Sequence, residues 1–104
     1  MNVSISSKDF NFVYNNGVVI KTPKILYRVL PSKGLGQIGF IVSGKLGRAS
    51  KRNLFRRRIK FLYNRHFAGT EKKVDMIIAP QTINLSWEEI KDSFKLMSER
   101  IYDI

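Results

Sequence analysis

Apolar and polar positions along this chain repeat with two different periods. Phe10, Val13 and Tyr14 follow helical spacing, Ser6 and Asp9 form a capping-box pair ahead of them, and Gly17 suits the stop. Three stretches rich in β-branched, aromatic or apolar residues come next, at 18–21, 24–30 and 37–43. They are separated by Thr22-Pro23 and by a turn-forming segment at 31–36, and they read as strands. From Ser50 the helical period returns. At about 100° per residue, Phe55, Ile59, Leu62 and His66 fall within about 60° of one another, while Arg52, Arg56, Lys60, Asn53 and Arg57 spread across the opposite side. The first set is expected to bury against a sheet, with His66 as a packing residue. Leu54 and Phe61 lie on a further flank, and Ala68-Gly69-Thr70 ends the helix. The apolar run at 74–79 reads as a central strand, opened by Asp75 near its start and closed by Pro80. Ser86 with Glu89 forms a second capping box, after which Trp87, Ile90, Phe94, Met97 and Ile101 recur at steps of three and four, the mark of a packing helix.

The expected order is therefore αβββαβα: an α+β chain built as a single-domain α/β sandwich, with helices packed on a mixed four-stranded sheet. At 104 residues the chain has the size of one domain, taken as 1–104, and no repeat or linker argues for a boundary. The chain has no cysteine, which excludes thiolate catalysis and Cys-ligated metals. The single histidine, His66, argues against a His-built metal centre or triad. No apolar run approaches the ~20 residues of a membrane span and the start lacks a signal-peptide pattern, so a cytoplasmic protein without a membrane role is expected.

Charge changes this picture from a generic fold to a binding protein. The formal net charge is +11, and it is regional. Residues 1–70 hold fourteen basic side chains and one acidic one, whereas residues 71–104 hold five basic and seven acidic. Guanidinium groups present a planar fork of donors that matches phosphate, stay charged, and stack on bases. The bland reading, a solvated helix face, is disfavoured because Arg52/Arg56 and Arg56/Lys60 repel at i,i+4 with no acidic neighbour to relieve them. An RNA partner fits best. A DNA-binding module lacks a helix-turn-helix pair, and a membrane-surface helix is disfavoured because the apolar helical residues are used by a core.

The stretch from Phe40 to Lys60 resembles the signature of the protein subunit of bacterial ribonuclease P, G-hydrophobic-V-S-K-K-x-G-x-A-V-x-R-N-R-x-K-R-x-x-R-E. It matches at Val42, Ser43, Lys45, Gly47, Ala49, Arg52, Asn53 and Arg57, and conservatively at Arg56 and Lys60. Phe10, Val13, Tyr14 and Gly17 are similar to that family's early F-x-x-V-F/Y-x-x-G element, and 74–79 to its later strand. The departures are Leu54 at the second Arg of R-N-R, Ser50 for the usual Val, Gly44 for one of the paired lysines and Phe61 for the common Glu.

The resemblance implies the ribosomal protein S5 domain 2-like fold and a noncatalytic partner of a catalytic RNA within an endoribonuclease that removes the 5′ leader of precursor tRNA. On that basis the catalytic RNA is expected to meet Lys45, Arg48, Lys51, Arg52, Asn53, Arg56, Arg57 and Lys60. The leader is expected in a cleft between sheet and first helix, with Phe10, Tyr14, Tyr27 and Arg28 as candidates. Phe10, Tyr14 and Tyr27 also read as ordinary core residues, and Arg28 is the better exposed candidate if its neighbour faces inward. The resemblance further implies magnesium held mainly by the RNA, with no tight metal site and no catalytic residue in this chain and no obligate protein partner. The residues agree in offering no convergent carboxylates. The alternative reading is a ribosomal or other ribonucleoprotein structural protein without a role in tRNA cleavage.

Overall fold

The computed structural model describes residues 3–70 and 72–101. Its elements are β1 (Val3–Ser4), α1 (Ser7–Asn16), β2 (Val18–Thr22), β3 (Ile25–Pro31), β4 (Gln37–Phe40), a 3-10 turn (Gly44–Leu46), α2 (Ala49–Phe67), β5 (Val74–Pro80) and α3 (Trp87–Ile101). The four expected strands form the mixed sheet, and the two-residue β1 extends its edge, giving the order β1-β4-β5-β3-β2. β5 is central as expected, antiparallel to β3 and parallel to β4. The strand expected over 37–43 stops at Phe40, because Ser43 turns the chain: its Oγ accepts from the Lys45 N–H at 3.1 Å and its carbonyl accepts from the Leu46 N–H.

Strand alternation sorts side chains between two layers. On one face Ile20, Ile25, Tyr27, Val29, Ile38, Met76 and Ile78 meet Phe55, Ile59, Tyr63 and Phe67 of α2 and Ile90, Phe94 and Met97 of α3. On the other face α1 lies across β3 and β5. Val13 and Ile77 are buried there, outside the main core. Gly39 permits this second layer: a Cβ on it would lie 2.6 Å from Ile5 and 3.0 Å from the Phe10 ring, so the bare backbone is where α1 can approach the sheet.

Local signals set the helix ends. Ser6 Oγ accepts from the Asp9 N–H, and the Gly17 N–H closes α1 on the Val13 carbonyl at 2.7 Å. Ser86 and Glu89 cap α3 reciprocally at 3.0 Å, and Lys24 joins them through Glu89 at 2.9 Å. These hydrogen bonds and the Lys24 charge hold the Glu89 carboxyl below its ordinary pKa. Asp75 supports the sheet, its Oδ1 accepting from the Gln37 N–H.

The inner arc of α2 differs from expectation by one residue in its second half. Tyr63 and Phe67 enter the core, Leu62 is half-buried and His66 is exposed, its ring touching Phe67 and Phe94 edge-on. The Tyr63 hydroxyl anchors the arc by donating to the Val74 carbonyl. Burial pushes the Tyr63 phenol up to about 12, against that hydrogen bond and with some help from Asp75. Burial raises Tyr27 as well, opposed by its bond to Ser93.

An unfolded tyrosine ionises near 10, so between pH 10 and 12 the unfolded chain loses protons that the folded chain keeps. This contribution to stability is complete below pH 10 and is lost as pH rises through 12. The denaturant midpoint is expected to fall across that window, and less steeply in Tyr63→Phe; identical alkaline slopes would contradict it.

Candidate nucleic-acid interface

The cationic surface is built on α2 and the turn that feeds it. Arg48 is the N-cap residue and offers no side-chain cap, and the first turn contains no acidic residue. Arg48, Lys51 and Arg52 thus sit at the positive end of the helix dipole, with Lys45 in the turn before them, an arrangement that costs the isolated helix and favours an anion. Gly47 packs the turn tightly, since a Cβ there would lie 2.7 Å from Ile83. The Arg52 Nε donates to the Gly47 carbonyl at 3.2 Å, tying the turn to the helix. One turn on, Arg56 donates to the Asn53 carboxamide at 3.0 Å, which aligns the two outward side chains.

Arg52, Arg56 and Lys60 recur every four residues along one flank of α2 and are partly covered, while Asn53 and Arg57 stand exposed on its crest. Lys51 and Arg58, seven residues apart, run along the opposite flank toward α3. Two salt bridges occur among the described residues, Lys24 with Glu89 and Lys91 with Glu88, and neither involves α2. The helix thus presents its positive charge uncompensated by any ion pair among the described residues.

The second group of expected residues lies across the sheet, on the α1 layer. Phe10 and Tyr14 stack at 6.4 Å with 14° between their planes, and the Arg28 guanidinium lies 4.0 Å from the Tyr14 ring centre. Phe10 is half-buried over Gly39, whereas Tyr14 is 44% exposed, and exposed Val19 pairs in register with Arg28. Two rings and a guanidinium in line, open on one side, make a platform on which bases can stack and a phosphate can rest.

Tyr27 does not belong to it. The alternation that turns Arg28 toward α1 turns Tyr27 toward α3, where it is 0% exposed, edge-on to Phe94 and hydrogen-bonded to Ser93 at 2.8 Å. The core reading of Tyr27 is the one observed, so its expected place at a leader cleft is corrected.

Composition and spacing left part of the surface unseen. Arg58 lies 5.6 Å from the Trp87 ring centre, Lys91 5.5 Å from it, and exposed Phe61 tilts against the same ring at 6.1 Å. Trp87 read as a packing position, and only the approach of α3 to α2 reveals the cluster. Among the described residues no group of three or more His, Cys, Asp or Glu is placed to hold a metal, and no helix is long and apolar enough to cross a membrane.

The chain superposes on the Staphylococcus aureus RNase P protein with a TM-score of 0.79 at 22% identity, covering 93% of this chain and 92% of that one. It superposes on the RNase P protein from Thermotoga maritima with a TM-score of 0.77 at 15% identity, covering 95% and 97%. These likenesses establish the fold. In sequence it is 27% identical over 97 residues to the ribonuclease P protein component of a Nitratiruptor species, spanning 92% of this chain and 88% of the relative. It is 28% identical over 89 residues to that of Finegoldia magna, spanning 84% and 79%. The family model described as Ribonuclease P matches residues 5–102, almost the whole chain, and with the cationic α2 and its Arg52-Asn53 pair in place the chain belongs to the ribonuclease P protein family.

Proposed function

We propose that this chain is the protein subunit of a ribonuclease P ribonucleoprotein, binding the catalytic RNA through α2 and its preceding turn and the 5′ leader of precursor tRNA through the Phe10–Tyr14–Arg28 platform on the α1 layer. The observation that carries the reading is the presence of two separate surfaces suited to nucleic acid on opposite layers of one sheet. One is the outer side of α2, whose cations form no salt bridge among the described residues, and the other is the Phe10–Tyr14–Arg28 ladder. A protein with both can hold two RNA segments at once and fix their relative position. Phosphate contacts on α2 supply affinity and orientation, while stacking on the ladder tolerates any base.

The chemistry, hydrolysis that frees the leader, belongs in this reading to the RNA, with magnesium held mainly by RNA phosphates. This chain's own part is to neutralise charge around the bound strands. A cytoplasmic setting accords with a chain that has no cysteine. The family match weighs against the alternative of a ribosomal or other structural ribonucleoprotein component.

Reconstitution with the cognate catalytic RNA and precursor tRNA at low magnesium tests the proposal: added protein is expected to raise leader cleavage, and no change would count against it. Tyr14→Ala is expected to weaken binding of leader-bearing substrate by about 5- to 150-fold, the worth of one stacked base, with little change for mature tRNA. Arg28→Ala is expected to act in the same direction. Equal losses for both RNAs would argue against leader stacking.

A further inference from the structure

The seam between α2 and α3 opens at one end into a cleft of about 220 Å³. Lys51, Leu54 and Arg58 line it from α2, and Ile83, Asn84 and Leu85 from the loop that leads into α3. Its volume lies below the ~300–1,000 Å³ of drug-sized sites, so it suits a single small planar group.

We propose that this cleft receives one unstacked nucleotide of the catalytic RNA, its base against Leu54, Ile83 and Leu85 and its phosphate between Lys51 and Arg58. The inference rests on the RNA-binding function proposed above and adds a site that the α2 crest and the α1 ladder do not include.

Three features converge on this occupant. Among the described residues Lys51 and Arg58 are the only charged ones lining the cleft, and neither forms a salt bridge there, which selects an anion. The floor, Leu54, Phe55, Ile83, Leu85 and Ile90, is apolar, so the anion must carry an apolar face. The exposed Asn84 carboxamide makes no hydrogen bond to another described residue, while its backbone N–H is already tied to Thr82 Oγ1 at 3.1 Å. That carboxamide can both donate and accept, as a base edge requires. A nucleotide combines all three properties. Lys51 and Arg58 also continue the positive surface of α2 around its α3 flank, so a strand crossing the crest can turn one residue inward.

Trp87 is the chain's only tryptophan and lies beside Arg58, so its emission reports on the cleft. Filter retention and Trp87 emission are followed together while the intact protein is titrated with the catalytic RNA. The proteins compared are wild type, Asn84→Leu, Arg58→Gln and, as a control for charge lost on a distant loop, Lys33→Gln. Saturation is expected to change Trp87 emission. Asn84→Leu is expected to weaken binding about 2- to 10-fold with the salt dependence unaltered, since the carboxamide carries no charge. Arg58→Gln is expected to weaken binding more than Lys33→Gln and to lower the salt slope by about 0.7.

Wild-type affinity in Asn84→Leu, together with constant Trp87 emission at saturation, overturns the cleft and leaves RNA binding by α2 intact. No retention of RNA by the wild-type protein overturns the proposed function and the cleft with it.

Discussion

Replacing Arg52, Arg56 and Arg57 together by alanine is expected to weaken binding of the catalytic RNA by at least ~10³-fold, at about 1.5–3 kcal/mol for each charge-assisted contact. The dependence on salt should flatten as well, by about 2.7 in the log–log slope for three duplex phosphates. The fold should survive. None of the three belongs to the core, and what the substitution removes inside the protein is the Arg52 bond to the Gly47 carbonyl and the Arg56 bond to Asn53. Against those losses, alanine is the better helix former, and the Arg52/Arg56 and Arg56/Lys60 repulsions, about 0.2–0.5 kcal/mol each, disappear. Thermal denaturation of the free protein should therefore change little while filter binding to the RNA collapses. Wild-type salt dependence in the triple variant would remove α2 from the interface.

What could be read from the sequence, and what could not, divides along the range of the interactions involved. The Ser86–Glu89 box, the Ser6 cap and the alternation in β3 act within a few residues, so their consequences are printed in the spacing itself. The sets 55-59-62-66 and 55-59-63-67 both draw a narrow stripe on a helix with 3.6 residues per turn, and spacing alone does not choose between them. The choice is made by a distant group, the Val74 carbonyl, which accepts from Tyr63 and leaves His66 outside. β1 is nonlocal in the same way: two residues become a strand because β4 offers a free parallel edge. At the interface, Arg52, Asn53, Arg56 and Arg57 were legible as one arc. The sorting of Lys51 and Arg58 onto the other flank acquires meaning only when Ile83, Leu85 and Trp87 arrive from elsewhere in the chain. Leu54, a departure from the family signature, is explained in the same step, because it forms part of an apolar floor.

Tyr27→Ala is expected to destabilise the protein by about 3–5 kcal/mol, as large-to-small changes of buried aromatic rings do, and to lower Tm by about 15–30 °C for a chain of this size. The ring is 0% exposed in the middle of the sheet, edge-on to Phe94 and paired in register with Ile20 and Ile78. Its removal leaves a void bounded by β-strands that cannot close over it. Tyr27→Phe separates the ring from the hydroxyl. Ser93 Oγ keeps its contact with Thr22 Oγ1 at 2.5 Å when the phenol is gone, so that change should cost only about 0.5–1.5 kcal/mol. The pair also discriminates stability from recognition. Tyr27 and Arg28 are adjacent in sequence but face opposite layers, so Arg28→Ala should leave Tm nearly unchanged and act on leader-bearing RNA, while Tyr27→Ala should act on Tm. If Tyr27→Ala retained wild-type stability and selectively lost affinity for the leader, the assignment of these two residues to opposite layers would be reversed, and the proposal that the α1 layer holds the leader would fall.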